Sequence, residues 1–236
     1  MRPGDDLAAL IAAAAPADLA GDDVVVIAHK VVSKAEGRLR SLGAVQPGER
    51  ATALAERHGK DARLVQVVLD ESAEVLRAER GVIVSVTRHG LVCANAGVDR
   101  SNVPGDDAVL LLPEDPDASA RRLRAGISAA RGVSPAVLVT DSFGRAWRLG
   151  QTDVAIGAAG LLALDDWAGR RDAGGGELRA TAIAVADAAA AAADLARAKD
   201  SREPAVLVRG LGRFVRAEDG PGAAELRRPR DEDLFR

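Results

Sequence analysis

The sequence predicts an α+β fold in which mixed sheets and hairpins pack against flanking helices. Short apolar runs that are typical of buried strands, such as "VVVIA" and "AVLVT", alternate irregularly with segments that carry helix signals. At least one pair of strands is close enough in the chain to form a hairpin, which favours α+β over a doubly wound parallel sheet. We expect one domain over residues 1–215, or two interleaved lobes within that range, followed by a charged, loosely ordered tail over residues 216–236.

In the first half of the chain, "DDLAALIAAAA" predicts a helix, and "DDVVVIA" predicts a buried strand that leads into "HKVVSKAEGR". "QPGERATALAERHG" predicts a short helix that ends at Gly59. The next stretch, "DARLVQVVLDESAEVLRAER", predicts one helix capped by Asp61, because four apolar residues fall on one helical face. Those four residues are Leu64, Val68, Val75 and Leu76. "GVIVSV" and "GLVCA" then predict the two strands of a hairpin around residues 88–90.

In the second half, "AVLLLP" predicts a strand, and "DPDASARRLRAGISAARG" predicts a helix with early acidic residues that ends at Gly132. "PAVLVT" predicts another strand, followed by a polar loop, "DSFGRAWRLGQT", and the apolar segment "DVAIGAAGLLAL". The glycine-rich "DDWAGRRDAGGGELR" predicts an exposed loop. "TAIAVADAAAAAADLARA" predicts a helix, because alanine is the best helix former, and "PAVLVRGL" predicts the last strand.

The composition excludes several classes of protein. The chain is 47% hydrophobic but only 2% aromatic and has no tyrosine, so aromatic platforms for stacking nucleic-acid bases are not expected. A net charge of −3 gives no basic field to attract nucleic acid or a membrane surface. One cysteine excludes an intramolecular disulfide and suits a reducing compartment, and no uncharged apolar run reaches about 18 residues. We therefore expect a soluble cytoplasmic protein that binds neither nucleic acid nor membrane.

Two segments share one design, in which an apolar strand ends in a carboxylate within a polar, glycine-containing loop. These segments are "GLVCANAGVDRSN", with Asp99, and "AVLVTDSFGRAWRLGQ", with Asp141 and Ser142. Carboxylate and hydroxyl oxygens suit hard cations such as Mg²⁺ or Mn²⁺. The alternative is an ordinary turn, since Asp and Asn favour turns, and for either loop alone this is the commoner explanation. Together the two loops make Asp99 and Asp141 candidate ligands in a metal- and phosphate-dependent enzyme.

Several basic residues are candidates for binding anions. Lys30 and Lys34 lie four residues apart, so on a helix they share one face and could bind phosphates. The alternative for this pair is a solvated basic face, and His29 is equally compatible with a structural role. Arg145 and Arg148 could bind an anionic substrate through bidentate hydrogen bonds, or could simply be surface charges.

Four long blocks, in the same order and at similar spacing, resemble the coenzyme F(420) γ-glutamyl ligase family. They are "VVVIAHKVVSKAEGR", "GLVCANAGVDRSNV", "LLLPEDPDASARRLR" and "VLVTDSFGRAWRLGQTDVAIGAAG", and the resemblance extends from about Asp22 to Gly212. It implies the α+β fold of that family, homodimers, and a requirement for Mg²⁺ or Mn²⁺. It also implies GTP-dependent ligation of L-glutamate to the deazaflavin precursor F(420)-0. A carboxylate is a poor acceptor for an amine, so we expect the precursor to react through an acyl phosphate.

The resemblance also assigns roles to individual residues of this sequence. Asp99 and Asp141 correspond to metal-bridging carboxylates, with Ser142 as a further ligand. The positions expected to contact GTP are His29, Lys30, Lys34 and Asn102, and we expect Lys34 to take part in catalysis. Our own inference, which the resemblance does not supply, is that Arg145 or Arg148 holds the phosphodiester of the acceptor or an incoming carboxylate.

The sequence departs from the family pattern in the late helix. Family members usually have an acidic residue at the position of Ala188 and a Met-Gly pair at the positions of Arg197 and Ala198. Loss of that glycine removes close backbone approach, so we expect altered affinity or selectivity for the nucleotide. Family members usually also carry a short segment that helps to bind the guanine nucleotide. That segment precedes the part of the chain that corresponds to "GDDLA" here. Two alternatives therefore stay open: a non-catalytic relative that binds deazaflavin or a partner subunit, and a ligase with a changed acceptor.

Overall fold

The structure, a computed structural model, describes residues 1–101, 107–198 and 200–235. Its architecture is mixed α+β, with several small sheets, as predicted. The chain divides into two compact units, named here after one carboxylate in each. The Asp99 unit comprises Met1–Asp5, His29–Asp115 and Phe143–Gln151, and the Asp141 unit comprises Asp6–Ala28, Pro116–Ser142 and Thr152–Arg236.

The α-helices are α1 (Leu7–Ala14), α2 (His29–Ala35), α3 (Glu49–His58), α4 (Ala62–Asp70), α5 (Pro116–Arg131) and α6 (Val185–Ala196). The strands are β1 (Val24–Ala28), β2 (Leu39–Ser41), β3 (Ser72–Glu79), β4 (Val82–Thr87), β5 (Val92–Ala94), β6 (Ala108–Leu110), β7 (Ala136–Arg145), β8 (Arg148–Ala159), β9 (Leu164–Asp166), β10 (Ala182–Ala184) and β11 (Ala205–Val208). In the described part of the chain, no helix combines the length and the apolar character needed to cross a membrane.

The Asp141 unit is built around a four-stranded sheet in the order β11-β1-β7-β8. Strand β1 runs parallel to β7, with Val24 opposite Ala136, and antiparallel to β11. Every residue from Val24 to Ile27 and from Ala136 to Val139 is buried, so both faces of the two central strands are covered. One of these faces packs against the alanine-rich side of α6. This burial explains why both strands read as continuous apolar runs.

Two buried charged residues of α5 hold the C-terminal region in the Asp141 unit. Asp117 accepts hydrogen bonds from the backbone N–H groups of Ala158, Ala223 and Ala224. Arg124 donates to the carbonyl oxygens of residues 216 and 217 and forms an ion pair with Asp219. The expectation of a loosely ordered tail is therefore wrong for residues 216–224, because buried polar groups in the middle of the chain need these partners.

The Asp99 unit contains a three-stranded antiparallel sheet, β3-β4-β5, and a two-stranded pair, β2-β6. Helices α3 and α4 pack against these strands through small apolar side chains, among them Ala51, Ala55, Val65 and Val68, and Ile83 of β4 belongs to the same cluster. Helix α3 ends at Gly59 in the left-handed conformation, as predicted, and Asp61 caps α4 as predicted. The predicted hairpin of β4 and β5 is also confirmed.

The predicted long helix from Asp61 is wrong in its second half. Helix α4 ends at Asp70, and Val75 and Leu76 lie in β3, which pairs with β4. The two strands are joined by Arg80 and Gly81, both with positive φ angles, 50° and 77°. This is the conformation of the two-residue turns that match the twist of a β-hairpin, so strand pairing overrides the helical spacing of the apolar residues.

The predicted polar loop "DSFGRAWRLGQT" is also wrong, because strands run through it. β7 continues to Arg145 and β8 begins at Arg148, so the two form one long hairpin. Its polar residues are largely exposed, and this is why the sequence has no apolar pattern there. The predictions of α1, β1, β6, α5 with its end at Gly132, and β11 are confirmed. The predicted last helix is confirmed only from Val185 onward, because Ala182–Ala184 form strand β10. Strand β10 pairs with β9, which takes in the first two residues of the predicted glycine-rich loop.

Candidate active site

The backbone of Asp99 is fixed by a tight turn that follows β5. Asn95, Ala96 and Gly97 have φ angles of 51°, 53° and 70°, a run of left-handed residues that reverses the chain. A Cβ on Gly97 would lie 2.7 Å from the side chain of Leu112, so this position requires glycine. After the turn, Asp99 exchanges two backbone hydrogen bonds with Leu110 at the end of β6, at 3.0 and 2.8 Å. The polar segment therefore holds Asp99 against a buried strand.

The Asp99 carboxylate is surrounded by hydrogen-bond donors. Lys30 Nζ lies 2.6 Å from Asp99 Oδ2 and donates to Ser101 Oγ, also at 2.6 Å. The Ser101 backbone N–H donates to Asp99 Oδ1 at 2.6 Å, and its hydroxyl donates to Oδ2 at 3.0 Å. Burial of the Asp99 carboxyl raises its pKa, but the hydrogen bonds and positive charge of Lys30 and the hydrogen bonds of Ser101 outweigh burial. The net pKa lies below the ordinary aspartate value, so Asp99 is ionised at neutral pH, as a metal ligand must be.

Helix α2 carries the other basic candidates of the Asp99 unit. Lys30 and Lys34 both lie on this helix, four residues apart, and are partly exposed. The imidazole of His29 is 1% exposed, and its Nδ1 lies 3.3 Å from Ser33 Oγ, one turn along the helix. The structure therefore favours Lys30 and Lys34 over the His29 ring as groups that can reach an anion, and the predicted nucleotide contact of His29 stays a prediction.

Asp141 and Ser142 lie in β7, beside an acidic residue of β8 that the sequence analysis did not single out. The Ser142 backbone N–H donates to Asp141 Oδ1 at 2.8 Å. The Ser142 hydroxyl donates to Asp153 Oδ1 at 2.6 Å, and the Thr140 hydroxyl donates to Asp153 Oδ2 at 2.8 Å. Asp153 thus receives hydroxyl protons from both neighbours of Asp141 in the sequence.

Asp153 is balanced by Arg197, which follows the last residue of α6. The Arg197 guanidinium forms an ion pair with Asp153 Oδ2 and also donates to Thr140 Oγ1 at 3.2 Å. The side chains of Arg197 and Asp153 are only 8% and 5% exposed. A buried carboxylate needs such a partner, because transfer of an isolated charge out of water is very costly.

The donor set fits a hard divalent cation. The Asp141 carboxylate, the Ser142 hydroxyl and the nearby Asp153 carboxylate all offer oxygen atoms, and Mg²⁺ and Mn²⁺ prefer oxygen ligands. At Asp99, the Lys30 ammonium stands where a cation would neutralise the carboxylate. Among residues 1–101, 107–198 and 200–235, no three His, Cys, Asp or Glu side chains form a ready metal site. A shared metal bound by Asp99 and Asp141 stays a prediction, since these carboxylates belong to different units.

The remaining predicted residues are placed as follows. Arg145 and Arg148 are exposed on the β7-β8 hairpin, where Arg145 donates to the carbonyl oxygen of Leu149 at 3.0 Å. Asn102 lies outside the described residues. Sequence reasoning missed Asp153, although a single acidic residue that begins the apolar run "DVAIGAAG" was a usable signal of a buried, partnered charge.

Comparison with known proteins finds one family model and several relatives that match most or all of the chain. The profile of the family described as F(420)-0:Gamma-glutamyl ligase matches residues 1–210. The chain is 47% identical over 239 residues to a protein of Methanopyrus kandleri named Coenzyme F(420):L-glutamate ligase, and the match covers 100% of this chain and 93% of that protein. Proteins of the same name from Haloarcula marismortui and Methanothermobacter thermautotrophicus are 47% and 46% identical, over 100% and 99% of this chain and 91% and 93% of their own lengths. The chain belongs to the F(420)-0:gamma-glutamyl ligase family.

Proposed function

We propose that this protein acts in coenzyme F(420) biosynthesis and ligates L-glutamate to the deazaflavin precursor F(420)-0, with GTP as co-substrate and Mg²⁺ or Mn²⁺ as the required cation. The names of relatives that are 46–47% identical over at least 99% of the chain support the ligase activity. The observation that carries the proposal is the Asp99 carboxylate, which is kept ionised and held by Lys30 and Ser101.

The reaction requires activation of a carboxylate. The terminal carboxylate of F(420)-0 attacks the γ-phosphorus of GTP, the bond to the β-γ bridging oxygen breaks, and GDP leaves. The amine of glutamate then attacks the acyl phosphate and loses a proton, and inorganic phosphate leaves as the amide bond forms. Phosphoryl transfer depends mainly on positioning and on neutralising charge. Lys30 and Lys34, on one face of α2, are suited to neutralising phosphate charge.

The proposed cation ligands are Asp99, Asp141 and Ser142, all of which offer oxygen atoms. When bound, the divalent cation neutralises phosphate oxygens and fixes their orientation for transfer. The protein contributes an ionised Asp99, since Lys30 and Ser101 lower its pKa, and a Ser142 hydroxyl whose proton points at Asp153. Exposed Arg145 and Arg148 are proposed to hold the phosphodiester of the acceptor or an incoming carboxylate.

We also propose that the protein is a homodimer. The tip of the β7-β8 hairpin exposes two large apolar side chains, Trp147 at 81% and Leu149 at 98%. These two residues are separated only by Arg148 in the chain, and exposed apolar patches are typical of surfaces that bind another protein. Light scattering after size exclusion should give twice the chain mass, and Leu149→Ser should shift the protein toward a monomer. A monomeric wild-type protein at micromolar concentration would refute this part of the proposal.

The activity is tested with purified protein, GTP, Mn²⁺, L-glutamate and F(420)-0, with mass spectrometry of the product. Addition of one or more glutamate residues, dependent on GTP and on Mn²⁺, is the expected result, and ATP in place of GTP serves as the nucleotide control. If no product forms while a related ligase works in parallel, the ligase proposal fails. Calorimetry with GTP and Mn²⁺ would then show whether the protein is a non-catalytic relative that still binds the nucleotide.

A further inference from the structure

We propose that the buried Asp153–Arg197 ion pair positions the Ser142 hydroxyl so that its oxygen lone pairs can bind the divalent cation. This inference rests on the proposed function, because it assigns Ser142 to the cation of that reaction. It names Asp153 and Arg197 as positioning residues, which act through Ser142 and are not themselves ligands.

The position of the single proton of the Ser142 hydroxyl decides which side of the oxygen can face a cation. A hydroxyl has one donor and two lone pairs, and a metal can bind only through the lone pairs. The Ser142 hydroxyl donates its proton to Asp153 Oδ1 at 2.6 Å. An ionised carboxylate can only accept, so this bond fixes the proton on the Asp153 side of the oxygen and leaves its lone pairs directed elsewhere.

The second step is that Asp153 cannot easily turn away or become a ligand itself. Its other oxygen, Oδ2, accepts from the Thr140 hydroxyl at 2.8 Å and is ion-paired with Arg197. Both carboxylate oxygens are therefore engaged, and the positive charge of Arg197 cancels the negative charge of Asp153. Because the pair is buried, water does not compete for these contacts.

The third step concerns the carboxylate that precedes Ser142 in the chain. Asp153 is paired with Arg197, and Asp141, whose Oδ1 accepts from the Ser142 N–H, brings a second carboxylate next to Ser142, which is the kind of ligand that hard cations prefer. Groups that orient a ligand through hydrogen bonds typically change metal affinity by about 10–100-fold when they are removed. The pair should therefore affect cation binding even though neither member touches the cation.

The isosteric substitution Asp153→Asn tests the idea sharply. Asparagine offers one acceptor oxygen and one NH₂ donor, and we expect the oxygen to accept hydrogen bonds from the charged Arg197 and from Thr140. The NH₂ group then faces Ser142 and donates to its hydroxyl oxygen, so this hydrogen bond occupies a lone pair that the cation needs. The shape of the side chain is kept, which limits the effect on folding.

The experiment measures Mn²⁺ affinity from the electron paramagnetic resonance signal of free Mn²⁺, with the metal alone as probe. Asp153→Asn is expected to weaken binding about tenfold or more, like Ser142→Ala. Adding Ser142→Ala to Asp153→Asn should change the Mn²⁺ affinity little further, because the Ser142 hydroxyl in Asp153→Asn no longer directs its lone pairs toward the cation. Asp18→Asn is the matched control, since it makes the same substitution in an exposed ion pair with Arg209 and should leave the affinity nearly unchanged.

The outcomes separate this inference from the proposed function. Wild-type affinity in Asp153→Asn, beside weakened binding in Ser142→Ala, overturns the positioning role and leaves the metal site intact. Fully multiplicative effects of the two substitutions also overturn it, since they indicate independent roles. No Mn²⁺ binding by the wild-type protein overturns both. If Asp153→Asn does not fold, the double variant Asp153→Leu/Arg197→Met replaces it. We expect the same weakening of Mn²⁺ binding, and wild-type affinity in this variant would likewise overturn the positioning role.

Discussion

Replacement of Arg197 by methionine should destabilise the protein strongly, because it leaves a buried carboxylate without its cation. Methionine keeps much of the length and apolar volume of the arginine stem, so the change removes mainly the guanidinium group. Asp153, with a side chain 5% exposed, would then keep only the hydroxyl groups of Thr140 and Ser142 among the partners described above. The charge cannot be solvated without local opening of the structure.

The size of the effect follows from this burial. Removal of one partner of a buried ion pair typically costs about 3–5 kcal/mol of unfolding free energy. For a chain of this length, each kcal/mol lowers the melting temperature by about 2–4 °C, so Arg197→Met should melt about 6–20 °C below the wild-type protein. Asp153→Leu/Arg197→Met removes both charges and should recover most of the loss, since apolar replacement of a buried pair is often neutral.

The assay is thermal unfolding by circular dichroism, with urea unfolding as a second measure. Arg77→Met is the matched control, because Arg77 pairs with Glu79 at 3.5 Å while both side chains are more than half exposed. An exposed pair of this kind contributes about 0–1 kcal/mol, so the control should melt close to the wild-type protein. Equal melting temperatures of Arg197→Met and Arg77→Met would refute the reasoning about burial.

Three further predictions concern the carboxylates and one turn. Asp99→Asn should lower ligase turnover by at least about 100-fold while the circular dichroism spectrum and melting temperature stay near wild type, because transition-state charge stabilisation is lost; retained turnover would remove Asp99 from the metal site. Asp187→Asn should raise the melting temperature at pH 7. Burial raises the pKa of Asp187 above 3.8 despite the hydrogen bond from the Ala155 N–H. The folded state therefore binds this proton more tightly than the unfolded state, and the stability that Asp187 contributes is present below pH 3.8 and lost as the pH rises through the folded-state pKa. The advantage of the asparagine variant should accordingly vanish near pH 3, and an advantage independent of pH would contradict this account. Gly97→Ala should lower the unfolding free energy by about 1–2 kcal/mol from its positive φ alone, and by more if the Leu112 side chain cannot move, as measured by urea unfolding; an unchanged midpoint would show that the turn relaxes.

Local sequence signals predicted most helices and strands correctly. Helix α3 has a glycine at its end and α4 an aspartate cap, and both operate within one or two turns of chain. Strand β1 and the first part of β7, Ala136–Val139, are buried on both faces, so each gives an unbroken apolar run. These features need no knowledge of the rest of the molecule.

Two of the wrong predictions show where local signals fail. The stretch that contains Val75 and Leu76 has helical spacing of apolar residues, but β3 forms because β4 follows after a two-residue turn. The polar stretch after Asp141 looks like a loop, but the long β7-β8 hairpin satisfies its backbone groups through strand pairing. In both cases a partner strand elsewhere in the chain decides the conformation.

For the candidate site, too, some features could be predicted from the sequence and others depend on the tertiary structure. The sequence by itself determined the family, the α+β class, and Asp99, Asp141 and Ser142 as candidates, because these rest on residue type and order along the chain. It presented Arg197 only as a departure from the family pattern. The tertiary structure decided that Arg197 pairs with Asp153, 44 residues earlier in the chain, and that Lys30 pairs with Asp99. Such pairs depend on which strand and helix ends meet, and this is set by packing of the whole core and not by any local signal.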